Sequence, residues 1–245
     1  DEFLAFNKKY YVPNNATLVV AGDININEAK KMIESYFGPI PRGEEVKRDF
    51  PQEDPITEPI KATAYDPNIQ IPAIMTAYRT PSMKTRDSRV LDMISSYLST
   101  GRSSVLYKKL VDDKKMALQV GAINLSQEDY GTYILYGLPQ GDNKLEDLVK
   151  EIDEEVVKIQ TDLISEKDYE KLQNQFENNF VNSNSSVEGI ASSLATYHVL
   201  YGDTNLINTE IDIYRSITRE EIREVAKKYL NPNQRLILEY LPEKK

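Results

Sequence analysis

The sequence predicts an α+β fold: a mainly antiparallel sheet packed with helices, preceded by a strand–helix remnant of a second such domain. Three observations carry this. First, a module ending occurs twice. Lys9-Tyr10-Tyr11-Val12-Pro13-Asn14-Asn15 runs into Ala16-Thr17-Leu18-Val19-Val20, and Lys227-Lys228-Tyr229-Leu230-Asn231-Pro232-Asn233 runs into Gln234-Arg235-Leu236-Ile237-Leu238. Both read as a helix end, a tyrosine, an Asn/Pro turn and an apolar strand, and such self-similarity is a signature of repeated architecture. Second, from residue 60 onward strand-like segments cluster early and helical ones late, unlike an alternating parallel sheet. Third, with 40% hydrophobic and 28% charged residues, the 245-residue chain can bury one or two ordinary globular cores.

Because the first copy of the ending opens the chain, residues 1–41 are expected to be the C-terminal remnant of an upstream domain. Residues 42–59 read as a linker and residues 60–245 as a complete second domain. Ala16–Ala21 is apolar enough for a strand, and Gly22-Asp23 stops it. Asn25 suits an N-cap, with Glu28 three positions on, as in a capping box. Ala29, Met32, Ile33, Tyr36 and Phe37 then form a helical stripe, and Gly38-Pro39 end it in the expected order. That apolar face calls for a covering surface, on the second domain or a neighbouring chain. Pro41 to Pro59 is charged and proline-rich, without periodicity.

In the second domain, Ile60–Tyr65 and Ile71–Tyr78 read as strands. Thr85–Leu98 is a helix with Val90, Leu91, Ile94, Tyr97 and Leu98 on one face, and Ser103–Asp113 is a shorter one. Ala117–Leu125 and Thr132–Leu138 are strands flanking the acidic turn Gln127-Glu128-Asp129. Leu145–Thr161 is a long helix whose Leu145, Leu148, Val149, Ile152, Val156 and Ile159 face inward. Its Glu151, Asp153, Glu154 and Glu155 read as a solvated outer face. Ser165 with Asp168 opens another helix, and a further one spans 187–200. Thr218 with Glu221, and Ile217 against Ile222, make the clearest helix start: a capping box with a hydrophobic staple. Leu236–Tyr240 closes the domain as a strand.

Several chemistries are excluded. A net charge of −9 opposes a phosphate-backbone partner, so no nucleic-acid role is expected. No apolar run approaches the roughly 18 residues of a membrane span. There is no cysteine, hence no disulfide, thiol nucleophile or thiolate metal site; this composition is compatible with an extracytoplasmic location. The single histidine, His198, lies on the stripe Val187, Ile190, Ala191, Leu194, His198, Tyr201 and reads as a core or rim residue. One histidine without cysteine does not assemble a familiar zinc site, so no metal ligand and no catalytic residue is assigned. Ser99-Thr100-Gly101-Arg102-Ser103-Ser104 lacks the lysine and second glycine of a P-loop and reads as a turn between helices. Asp112-Asp113-Lys114-Lys115 reads as a solvated connection.

These motifs together resemble one family. Tyr10-Tyr11-Val12-Pro13-Asn14-Asn15-Ala16-Thr17-Leu18-Val19-Val20-Ala21-Gly22-Asp23, the helix Glu28–Phe37 and Tyr36-Phe37-Gly38-Pro39-Ile40-Pro41 look like the end of the first domain of an M16-family zinc metallopeptidase, the pitrilysin, insulinase and mitochondrial processing peptidase group. Gly101-Arg102-Ser103-Ser104-Val105-Leu106-Tyr107-Lys108-Lys109-Leu110 resembles that family's second-domain helix. Ile217-Thr218-Arg219-Glu220-Glu221-Ile222, followed by Ala226-Lys227-Lys228-Tyr229-Leu230, resembles its closing helix.

The resemblance implies a parent zinc endopeptidase acting on peptides. Its His-x-x-Glu-His motif would lie in an upstream zinc-bearing domain, upstream of Asp1. This chain would wall the peptide chamber, dock a partner half or subunit, and be inactive alone. Exposed sheet edges would support peptide binding by strand addition. The family also carries an Arg and a Tyr seven apart on a non-zinc domain. The matching positions here are Val111 and Leu118, so that pair is absent. Either a partner half supplies it, or the parent is a non-catalytic scaffold subunit.

Overall fold

The computed structural model describes residues 1–47, 50, 51 and 53–243; Arg48, Asp49 and Gln52 of the expected linker, and Lys244 and Lys245, lie outside the described residues. The chain divides into two compact units: Asp1–Asp54 with Asn179–Thr209, and Pro55–Asn178 with Glu210–Lys245.

The smaller unit contains α1 (Glu2–Tyr10), a 3₁₀ turn (Pro13–Asn15) and α2 (Ile26–Phe37). Asn25 caps α2, its side chain accepting from Asn27 N and Glu28 N. Asn14 ties the turn to the following segment: Gly43 N donates to its Oδ1 at 2.8 Å, and a Cβ at Gly43 would lie 2.4 Å from Val12 Cγ1. The expected strand Ala16–Ala21 does not form. Ala16 is extended at φ −129°, ψ 146°, but the segment has no ladder partner among the described residues, and a strand exists only through its neighbour. Met32, Tyr36 and Phe37 of α2 are exposed, and only Ala29 and Ile33 are half-buried.

The larger unit is built on β1 (Ile60–Asp66), β2 (Ala73–Pro81), β3 (Ala117–Leu125), β4 (Tyr130–Pro139) and β5 (Leu236–Pro242). The order is β1-β5-β2-β4-β3. The β5·β2, β2·β4 and β4·β3 pairs are antiparallel, and only β1·β5 is parallel. This is the α+β, mainly antiparallel arrangement that the strand-then-helix order predicts.

The helices are α3 (Arg86–Ser99), α4 (Leu145–Thr161), α5 (Glu166–Ser183), α6 (Val187–Thr196), α7 (Leu206–Ser216) and α8 (Arg219–Tyr229); α5 and α7 run across the boundary between units. Helix α8 contacts both α3 and α4, and all three lie on one face of the sheet. Val90, Leu91, Met93, Ile94 and Leu98 of α3, Leu148, Ile152 and Val156 of α4, and Ile222 and Ala226 of α8 meet Ile74, Tyr78, Tyr133 and Leu135 in one core. Thr218 and Glu221 form the expected capping box at α8. Helix α7 was not legible as a separate element.

The opposite face follows from the register. Side chains alternate across a sheet. The row Val120, Gly137 and Ile74, and the row Ala122, Leu135 and Thr76, are buried under the helices. The intervening set is only half-buried: Met75 and Ala77 on β2, Ile134, Tyr136 and Leu138 on β4, Leu236 and Leu238 on β5. Ile60, Ile123 and Leu125, at the two edges, are exposed.

Candidate functional site

The larger unit holds three features from which a site could be built: a buried polar network, the corner that carries Val111 and Leu118, and the apolar open sheet face.

The network joins α3, β3 and α7. Arg89 grips Glu210 bidentately, Nε to Oε1 at 2.7 Å and Nη2 to Oε2 at 2.8 Å, with side chains 6% and 8% exposed. Arg89 Nη1 also donates to the Lys84 and Thr85 carbonyls. Beside the pair, Asp92 accepts from Asn124 Nδ2 at 2.8 Å and from Tyr214 Oη at 3.0 Å. Burial pushes the Asp92 carboxyl above its usual range, against the lowering effect of Asn124, Tyr214 and Arg89. Burial likewise raises Tyr214, and Asp92 and Glu210 add to it. The Arg89–Glu210 pair is enclosed and Asp92 is buried and hydrogen-bonded, so the network fixes α7 rather than offering an accessible acid or base. Sequence spacing gives no sign of it: Arg89 and Glu210 are 121 residues apart.

This sets a pH dependence. A carboxyl raised in the fold contributes stability below its unfolded value of 3.8 and loses it as pH rises through its folded value. Wild type compared with Asp92→Asn should therefore gain relative stability as pH falls from 7 through the carboxylate range. Arg89, Glu210, Tyr214 and Asn124 are the groups facing this position. Urea midpoints of both proteins between pH 3 and 7 measure it, and a constant difference would refute it.

A second cluster corrects an expectation. Glu155 is 5% exposed and Glu151 is shielded, so the acidic run on α4 is not simply a solvated face. Lys109 enters from the segment before β3 and bonds Glu151 at 2.9 Å, Glu154 at 3.0 Å and Glu155 at 2.8 Å. Burial pushes Glu155 up, but hydrogen bonds from Lys109 and Lys158 outweigh it and hold the carboxyl low. Lys114 also pairs with Glu151, so Asp112-Asp113-Lys114-Lys115 is anchored rather than free. The acidic turn is anchored too: Met83 N donates to the Gln127 carbonyl at 2.8 Å.

Val111 sits on a π-helical turn, Tyr107–Asp113, and packs half-buried against the core. Leu118 follows at a β-bulge between Ala117 and Gln119 and is 49% exposed. π-turns and bulges commonly re-aim side chains at functional sites. Here both re-aimed side chains are apolar and neither donates a hydrogen bond. His198 is exposed on a second π-helical turn, Tyr197–Tyr201, not buried in a core. Among the described residues no group of three or more His, Cys, Asp or Glu is placed to hold a metal, and no helix is long and apolar enough to cross a membrane.

Comparison with known proteins places this architecture. The family described as "Peptidase M16 inactive domain" matches residues 1–176. The chain is 25% identical over 234 residues to zinc protease PqqE of Helicobacter pylori, covering 94% of this chain and 52% of that protein. Among solved structures, a protease from Helicobacter pylori superposes with a TM-score of 0.87 at 23% identity, over 96% of this chain and 57% of that one. A peptidase M16 inactive domain from Pseudomonas fluorescens superposes with a TM-score of 0.82 at 13% identity, over 99% and 57% respectively. The chain thus spans about half the length of the curated relatives it matches.

Proposed function

The chain belongs to the peptidase M16 inactive-domain family, and from that premise we propose that it is the non-zinc part of a zinc endopeptidase. In this reading it walls a peptide chamber, docks the zinc-bearing part of the parent, and hydrolyses nothing alone. The domain limits proposed are 1–41 for the end of the upstream domain, 42–59 for the linker and 60–245 for the second domain. Zinc belongs to the parent, peptides are its substrates, and an extracytoplasmic location fits a chain without cysteine.

The observation that carries the docking role is the open face of the sheet. Met75, Ala77, Ile134, Tyr136, Leu138, Leu236 and Leu238 form a contiguous apolar surface across β2, β4 and β5, bordered by exposed Ile60, Ile123 and Leu125. Contiguous apolar faces of this extent mark interaction surfaces. The relatives' greater length supports a further part of the parent as the occupant, and the upstream part is the one proposed here.

Val111 and Leu118 supply no donor for a scissile carbonyl, so the Arg and Tyr of an active parent come from a partner half or subunit. The same departure favours a second reading, a non-catalytic scaffold subunit.

The test uses the chain and the upstream part of its parent as separate polypeptides. The chain alone, with zinc added, should not cleave an unstructured peptide. It should form a stable complex with the upstream part in size-exclusion chromatography. Zinc-dependent cleavage by the chain alone, or no association at micromolar concentrations, would sink the reading. Activity that needs a third polypeptide carrying Arg and Tyr favours the paired enzyme; none in any combination favours the scaffold.

A further inference from the structure

Two cavities in the larger unit share Glu146 and Glu239 as a common wall. One, of about 750 Å³, lies over Ile71, Pro72, Leu118 and Pro139. The other, of about 370 Å³, lies over Ile74, Val149 and Ile237 and reaches Lys61 to Thr63 on the edge strand β1. Glu146 and Glu239 join them. Thr63 lies beside Glu239 and Glu239 beside Ile74 under the second cavity, whereas Gly137, next in that row, is covered by Leu148 and Ile152 of α4. The two cavities therefore meet as one groove around the N-terminal end of α4, reaching from Leu118 at the bulge on β3 to Lys61 and Thr63 on β1. Four inter-strand spacings of about 4.8 Å give ~19 Å, the length of about six extended residues.

The floor is apolar, and Ile71 and Leu118 are 43% and 49% exposed. Charge chooses the occupant. Elsewhere on α4 the carboxylates of Glu151, Asp153, Glu154 and Glu155 are each paired with a lysine or arginine. Glu146 and Glu239, at the centre of the groove, make no such pair among the described residues. Asp142 and Lys144 also line the first cavity and Lys61 the second, so three carboxylates stand against two lysines and the wall shared by both cavities is negative. An apolar trough with a negative centre is complementary to an extended apolar segment bearing one central cation.

We propose that this groove binds an extended peptide of about six residues, apolar at its ends with a single Arg or Lys at its centre. The site lies on the helix-covered side of the sheet, away from the open face, and adds a peptide-binding subsite to the function above. It rests on that reading only for the choice of a peptide as ligand.

The experiment titrates the intact chain into labelled, end-capped peptides of about six residues, leucine-rich with a central arginine, norleucine or glutamate, followed by fluorescence anisotropy. The arginine peptide should bind saturably, about tenfold tighter than the norleucine peptide, with the glutamate peptide weaker still. The double variant Glu146→Gln/Glu239→Gln should abolish this preference while still binding the norleucine peptide. Leu118→Asp should weaken all three. Circular dichroism confirms that each variant is folded. No saturation by the arginine peptide, equal binding of the arginine and glutamate peptides, or a preference that survives the double variant overturns the proposal. If the double variant instead weakens docking of the upstream part and leaves peptide binding untouched, the groove's occupant is that part and the proposal is again overturned. Failure of docking through the open face, with peptide binding intact, counts only against the docking role.

Discussion

Replacing Arg89 by methionine is expected to destabilise the protein by about 3–5 kcal/mol, because it leaves the Glu210 carboxylate buried without its partner. Both side chains are almost fully enclosed, and a bidentate pair of this kind is among the stronger charge-assisted contacts. The loss should shift the urea midpoint without changing the slope. The converse comparison isolates the cause. Arg89→Met combined with Glu210→Met removes both charges and puts apolar groups of similar volume in their place. It should recover most of the loss, since a buried ion pair often breaks even against well-packed hydrophobic residues. If the double variant is as unstable as the single one, the effect is packing and not uncompensated charge. Arg89 also satisfies the Lys84 and Thr85 carbonyls, so recovery should fall short by roughly 1 kcal/mol.

The second large effect concerns docking. Ile134 lies in the middle of the open sheet face, opposite Ala77 on β2 and Ile123 on β3. An aspartate there would be desolvated without a partner if the face is covered by the upstream part of the parent. The cost of such a charge is several kcal/mol, so Ile134→Asp should weaken the complex by more than about a hundredfold. Folding of the chain itself should change by no more than about 1 kcal/mol, since the position is only half-buried. Val157→Asp is the control, because Val157 is 47% exposed on the outer side of α4. Calorimetric titration of the upstream part into each variant gives the affinities. Unchanged affinity for Ile134→Asp would falsify the docking role of this face.

What could be read from the sequence was local. The 3.6-residue stripes placed α2, α3 and α4, the capping box placed α8, and Asn25 and Thr218 do cap their helices. The repeated ending is also real in outline: α1 and its turn lead into an extended segment, as α8 and its turn lead into β5. Helix α7 escaped because its stripe, Leu206, Ile207, Ile211 and Tyr214, follows the preceding helix after a short break at Gly202, which adopts a left-handed φ of 75°.

The likeness to one family was legible because its motifs are short contiguous strings in a fixed order. Composition, with one histidine and no cysteine, already kept a familiar zinc site from being assigned to this chain. The placement of Val111 on a π-helical turn and of Leu118 on a bulge was not legible, because both irregularities arise from how the chain meets β4 and the core.

Sequence by itself determined most of the elements, the caps of α2 and α8, the α+β class and the family, since each is carried by residues within a few positions of one another or by short motifs in order. Tertiary structure alone decided the sheet order β1-β5-β2-β4-β3, and with it which face stays open and where the groove runs. It also decided that Ala16–Ala21 has no ladder partner among the described residues and that Glu155 is buried against Lys109. The physical reason is common to all of these. Periodicity and capping act through bonds between near neighbours. Strand pairing and charge burial depend on which distant segment arrives, and a residue type carries no record of its eventual partner.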